Sequence, residues 1–408
     1  MLDFSKPDAS STTLQQAERK QRRLRLLVLG VLWGIALILG SRRWLHALLY
    51  QAAVLEVAWP VLVLGWVLGL GLLYLLLIAV HEGGHVLGAR LARFRVLTFA
   101  VSWLRITRQA GGWQVRLQKP LASLGGMVQA YPAHTRHLRP RFALFIAGGP
   151  LANLLTGALA LYLRQVLLPP TSELAFAVSR TQYGLNHALT FFGWASLFVG
   201  AFNLLPLRLK SGYTIDGRKL WYMARGGAAM HQHLGLLYFQ SITYAGTRPR
   251  AWDPAQLEAF LAYRSHTVLD FYAHLYAYAY YQDCDERALM EEHLAAALER
   301  RHASPVALQQ HVLAEAAVVA ALSDEHAEYA RQWLDQAQAA KPFSNEEGLF
   351  ARAAVAYAEG QLPEATRWLQ AARQQLQQAS HLAANEQGAE QLDDLQHRIA
   401  LAATAQPA

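Results

Sequence analysis

Cysteine is nearly absent from this sequence: Cys284 is the only one in 408 residues. That excludes disulfides within the chain and leaves no thiolate cluster for a structural zinc site. Acid is almost as scarce in the first half. From Met1 to Met230 the only carboxylates are Asp3, Asp8, Glu18, Glu56, Glu82, Glu173 and Asp216, against 25 Lys+Arg, a balance of +18. Residues 231–408 reverse this to −10, so the net +8 conceals two environments, a basic membrane domain and an acidic soluble one. No basic stretch is interleaved with aromatics on a soluble module, which argues against nucleic acid as a partner. Ser and Cys offer no nucleophile elbow. An ordinary signal peptide is not expected at the N-terminus: basic residues precede Leu26–Gly40, but Ser41-Arg42-Arg43 is no small-residue cleavage site, and the segment reads as a retained anchor helix.

What the first half does have is apolar length. Segments at about 26–40, 57–80, 142–163 and 187–207 are expected to cross the bilayer. Arg19, Lys20, Arg22, Arg23 and Arg25 precede the first. Arg90 to Arg141 lie between the second and third, and Arg208 to Arg225 follow the fourth. The intervening loops carry only Arg42 and Arg43, then Arg164 and Arg180. The positive-inside rule then puts both termini in the cytosol, in a cell inner or plasma membrane. Trp44, Trp59 and Trp221 read as interface anchors. Arg95–Thr107 reads as a strand, Gly111-Gly112 as a turn and Trp113–Leu117 as the returning strand, within a β-hairpin region at about 95–130 on the inner face. It serves either as a lid or as an edge strand offered to an unwound polypeptide.

The expected architecture is mainly α. A disordered basic N-terminus (1–23) precedes a polytopic membrane helix bundle with its small membrane-associated β-hairpin (24–230). A linker (231–252), a soluble α-helical domain (253–385) and a flexible tail (386–408) follow. In the soluble part Ala330, Trp333, Leu334 and Ala337 recur 35 residues later as Ala365, Trp368, Leu369 and Ala372. Together with Tyr357-Ala358-Glu359-Gly360 this is similar to the tetratricopeptide pattern of paired helices. An ordinary helical bundle is the alternative.

His81-Glu82-Gly83-Gly84-His85 closes the second apolar run. Two histidines four apart fall on one helix face and can grip one metal ion, and the glutamate beside them can act as general base on water. Catalytic zinc usually holds three protein ligands plus an open position. The third-histidine position of the extended metzincin pattern is Leu91, and the next glutamate, Glu173, is expected on the opposite side of the membrane. Asp216 is the one acid after Glu82 in the membrane domain that can reach the inner level, so by elimination it is the third ligand. One Zn²⁺ per chain is expected, held by His81, His85 and Asp216. The other histidines of this half lack partner spacing. Glu82 would take the proton of the attacking water and pass it to a leaving amine.

These residues resemble the site-2 protease family of intramembrane zinc metalloproteases. The family joins an H-E-x-x-H to a later N-x-x-P and D-G, matched by Asn203-Leu204-Leu205-Pro206 and Asp216-Gly217. Its G-P-x-x-N is matched by Gly149-Pro150-Leu151-Ala152-Asn153, and its glycine pair by Gly125-Gly126. The resemblance covers about residues 50–225. The stretch from Pro206 to Asp216 is longer than the family usually shows, and no PDZ insertion is evident. The resemblance implies a zinc endopeptidase that hydrolyses bonds within or next to transmembrane segments of membrane proteins. It also implies that Asn153 contacts the substrate backbone or oxyanion, with an interhelical hydrogen bond as the alternative. Asn203 is the second residue of this kind, and it caps or positions the segment carrying Asp216. The helical tail would engage a cytosolic protein partner. A catalytically inactive adapter of the same fold is the competing reading. An ion transporter is disfavoured because few polar residues line the other apolar segments.

Overall fold

The computed structural model describes residues 58–109, 112–117, 125–167, 180–207, 215–304, 306–323, 326–339, 346–378 and 382–405. The expected first membrane segment (26–40) lies outside them. Three described helices are long and apolar enough to cross a membrane: Trp59–Leu91 (α1), Leu138–Leu167 (α2) and Gly184–Leu204 within Arg180–Leu204 (α3). Helix α1 begins with Pro60, whose fixed φ suits a first turn, and ends where Arg93 enters the left-handed region at φ 56°. Its 33 residues make a rod of about 50 Å, longer than the ~30 Å hydrocarbon layer. The metal motif therefore continues the spanning helix rather than following it. The outer side of α1 exposes Leu64, Val67, Leu68 and Leu72, as a lipid-facing surface would.

Close backbone approach sets the crossing of α1 on α2. A Cβ on Gly84 would overlap the carbonyl oxygen of Gly148, and one on Gly148 would overlap that of Gly84. Small residues at such crossings replace the hydrophobic driving force that lipid removes.

Between α1 and α2 lies a four-stranded antiparallel sheet, not a single hairpin. Its strands are Phe94–Val101 (β1), Leu104–Gln109 (β2), Gly112–Leu117 (β3) and Gly126–Pro132 (β4), in the order β3-β2-β1-β4. The stretch 95–107, expected as one strand, reverses at Ser102-Trp103, where Ser102 takes φ 52°. Strand β1 carries a bulge between Val96 and Thr98.

The short amphipathic helix Asp216–Arg225 (α4) packs beneath α2, and Arg139 caps its end by donating to the carbonyls of Met223 (2.7 Å) and Ala224 (3.0 Å). Ala89, Phe94, Phe142, Phe145, Met223 and Leu237 form the core that joins α1, β1, α2, α4 and the next helix, Ala228–Tyr244 (α5). Residues 231–252, expected to be a linker, thus lie largely in a helix whose Tyr244 stacks on Tyr131 of β4 at 4.1 Å.

Beyond this come Pro254–Leu261 (α6), then the pairs Val268–Asp283 with Arg287–Arg300 (α7, α8), Val306–Ala321 with Ala327–Gln338 (α9, α10) and Glu346–Ala358 with Leu362–Gln378 (α11, α12). Ala330, Trp333, Leu334 and Ala337 of α10 are buried, as are Ala365, Leu369 and Ala372 of α12. The 35-residue recurrence therefore marks the inner faces of two successive second helices. The stretch 386–408, expected as a loose tail, is instead mostly helix: Leu382–Ala405 (α13) buries Leu392, Leu395 and Ile399 in the same core.

Candidate metal centre and its cavity

Helix α1 presents His81 and His85 one turn apart toward α2, with their rings edge to face at 4.8 Å. Asp216 reaches them as the first residue of α4, its Oδ2 lying 3.1 Å from His81 Nε2 and 3.2 Å from His85 Nε2. The three donors fall within 4.8 Å of one another, and no other such cluster occurs among the described residues. The structure thus places Asp216 beside both histidines, despite the long stretch after Pro206.

The surroundings orient this set. His85 Nδ1 donates to the carbonyl of Phe145 at 3.0 Å, so in the neutral ring Nε2 carries the free lone pair facing Asp216. His81 Nδ1 is buried and has no hydrogen-bond partner. Gly149 of α2 leaves room for both rings: a Cβ there would stand 2.5 Å from His85 Nε2 and 2.9 Å from His81 Nε2. Burial works against the charge of Asp216. Lys219, at 3.3 Å from Oδ1, outweighs it and holds the carboxyl well below the usual carboxylate range. Lys219 was not singled out from sequence, although its place three residues after Asp216 on a short helix puts both on one face.

A cavity of about 470 Å³ opens onto this cluster. Glu82 lines it and is buried, and strand β4 presses on its side chain, since a Cβ on Gly126 would stand 2.6 Å from Glu82 Oε1. Tyr74 and Ile78 extend the wall along α1, and Asn203 closes it from α3. Asn203 Nδ2 donates to the Val199 carbonyl at 2.9 Å, which leaves the amide with further bonding capacity. The structure thus brings His81, Glu82, His85, Asn203 and Asp216 to one cavity. Asn153 does not line it. It is fully buried one turn beyond Gly149, and its side-chain amide has no hydrogen-bond partner. The interhelical bond at this residue runs through its backbone carbonyl, which accepts from Ser196 Oγ at 2.9 Å.

Two imidazole nitrogens and a carboxylate oxygen, buried together with one acceptor nitrogen fixed from behind, suit Zn²⁺ and leave a coordination position for water or substrate. A membrane-embedded helical domain with such a donor set is the architecture of an intramembrane metallopeptidase. Residues 70–232, which include every one of these side chains, match the model of peptidase family M50, a family of membrane metalloproteases of the site-2 protease type. No curated protein and no solved structure matches the chain.

Proposed function

We propose that this protein is an active intramembrane zinc endopeptidase that cuts membrane proteins within or next to their transmembrane segments. The observation that supports this most is Asp216, which arrives from 135 residues away to complete a three-donor set directly beside Glu82. Zinc, when bound to His81, His85 and Asp216, supplies a Lewis acid that polarises a carbonyl and eases deprotonation of water. Glu82 accepts the water proton and returns it to the departing amine. The peptide bond then breaks with one hydroxyl added to the acyl carbon and one proton added to the nitrogen.

A helical substrate hides its amides in internal hydrogen bonds, so the segment to be cut must first unwind. Strand β4 supports the edge-strand reading of the sheet: it is an edge, and it lies against Glu82. An extended segment pairing there would be led into the cavity. Asn203, on the opposite wall, would hold the substrate backbone or the developing oxyanion. Asn153 would act from behind the metal, on the same face of α2 as Gly149. The helical region beyond α5 would dock a soluble protein partner from the cytosolic side.

The test is Glu82→Gln in the full chain, purified in detergent and offered a dual-labelled single-pass transmembrane polypeptide. The variant should keep about one zinc per chain and lose cleavage by at least about a hundredfold. Cleavage at the wild-type rate would refute the role of Glu82. Wild-type protein that holds no zinc and cuts nothing would favour the adapter.

A further inference from the structure

On the side of α1 turned away from the metal centre, a groove of about 570 Å³ runs between the helix and the sheet. Gly83, Val86 and Arg90 form its helical wall, spaced so that they share one face. The other wall is one face of the sheet. Phe99 of β1 pairs across to Ile106 of β2, and Arg108 pairs to Trp113 of β3. Arg95 of β1 completes the lining.

Three properties of the groove belong together. It contains Arg90, Arg95 and Arg108 and no acidic residue. All three arginines are exposed, and none has an ion pair or a side-chain hydrogen bond among the described residues. Its remaining surface is apolar, and a Cβ on Gly83 would meet nothing within 4 Å, so the groove stays open beside the helix. Its level in the membrane follows from α1. From Trp59 to Ala89 the ionisable groups other than Tyr74 are His81, Glu82 and His85, all turned to the metal cavity. Arg90 is thus the first charge on the lipid-facing side of α1, next to Leu91, which is 65% exposed. That alternation marks the depth at which hydrocarbon gives way to headgroups. Trp103 and Trp113 are exposed on the same sheet, as rings at that level are.

We propose that this groove binds an anionic phospholipid, with its phosphate held by Arg90, Arg95 and Arg108 and its chains lying along Gly83 and Val86 of α1. Guanidinium groups match phosphate oxygens in geometry as well as charge. A soluble phosphate would satisfy the arginines and leave the apolar floor empty, and an acidic polypeptide would need donors for its amides that these walls lack. The lipid would press the sheet onto the membrane on the far side of the helix from β4.

Native mass spectrometry of the full chain in detergent tests this, with phosphatidylglycerol and phosphatidylcholine titrated separately. The wild type should retain one phosphatidylglycerol in preference to phosphatidylcholine, and glycerol phosphate should not displace it. Each of Arg90→Gln, Arg95→Gln and Arg108→Gln should weaken retention about fivefold, and the triple variant about a hundredfold. Arg116→Gln and Arg225→Gln, outside the groove, should leave it unchanged. Unchanged zinc content in the triple variant would show that its fold is intact. Equal retention of the two lipids, displacement by glycerol phosphate, or equal losses in the control variants would overturn the assignment. So would displacement by an acidic peptide, which would give the groove to a protein partner.

Discussion

His85 illustrates how much of a candidate metal site is set by atoms that leave no trace in a sequence. Its spacing from His81, with Glu82 between, is legible at once. Asp216 is legible because acid is so rare in this half of the chain. The bond from His85 Nδ1 to the Phe145 carbonyl is not, since a backbone acceptor has no side-chain signature. Gly149 was legible only as part of a motif, yet its missing Cβ is what admits both imidazoles. Gly149→Ala should therefore displace His85 and lower zinc affinity by about ten- to a hundredfold, the range seen when support of a ligand is disturbed. Equilibrium dialysis against a zinc chelator measures it. Asp216→Ala should go further and leave the protein metal-free in the same measurement, because two imidazoles alone make a weak site.

Elements were legible where periodicity was long and illegible where punctuation was missing. The three spans announce themselves through runs of uncharged residues. The β1–β2 reversal does not, because Ser102-Trp103 contains none of Gly, Pro, Asn or Asp. Helix α13 was missed although Leu392, Leu395 and Ile399 make a stripe at helical spacing; the surrounding Gln, Asp and Ala hid it. Arg141 shows how elements are stitched together. It donates to the carbonyls of Ala92 (2.7 Å) and Arg93 (2.9 Å) at the end of α1, and to those of His134 and Arg136 before α2. Arg141→Met should cost about 2 kcal/mol, read from denaturant unfolding in detergent, because it strips a charged donor from several carbonyls at once.

In the helical region, burial opposes the charge of His311 on α9, but Glu347 on α11, 2.8 Å away, pushes it up to about 9. A raised folded-state value stabilises below the ordinary 6.5 and loses that contribution as pH rises through about 9. Glu315, which accepts from Tyr278 at 2.6 Å, also faces this histidine. Melting temperatures of His311→Gln should therefore fall less than those of the wild type between pH 6.5 and 9.

At the scale of the whole molecule, the end of the chain returns to the edge of the membrane domain. Arg248, just after α5, is hydrogen-bonded to Asp283 of α7 and to Glu390 of α13. Glu390→Gln should loosen α13 and speed its removal in limited proteolysis while leaving zinc content unchanged. The candidate metal centre has a reach of the same kind. Its donors belong to residues 135 positions apart, so an ion shared by them closes most of the membrane domain into one loop. In a chain-entropy picture a cross-link over so long a loop is worth about 5 kcal/mol. Chelation should accordingly lower the melting temperature of the full chain, visible by scanning fluorimetry in detergent, and Asp216→Ala should abolish that difference. The ion that a peptidase needs for its reaction would thus double as a tether, and a molecule stripped of it would lose its grip between α1 and α4 together with its chemistry.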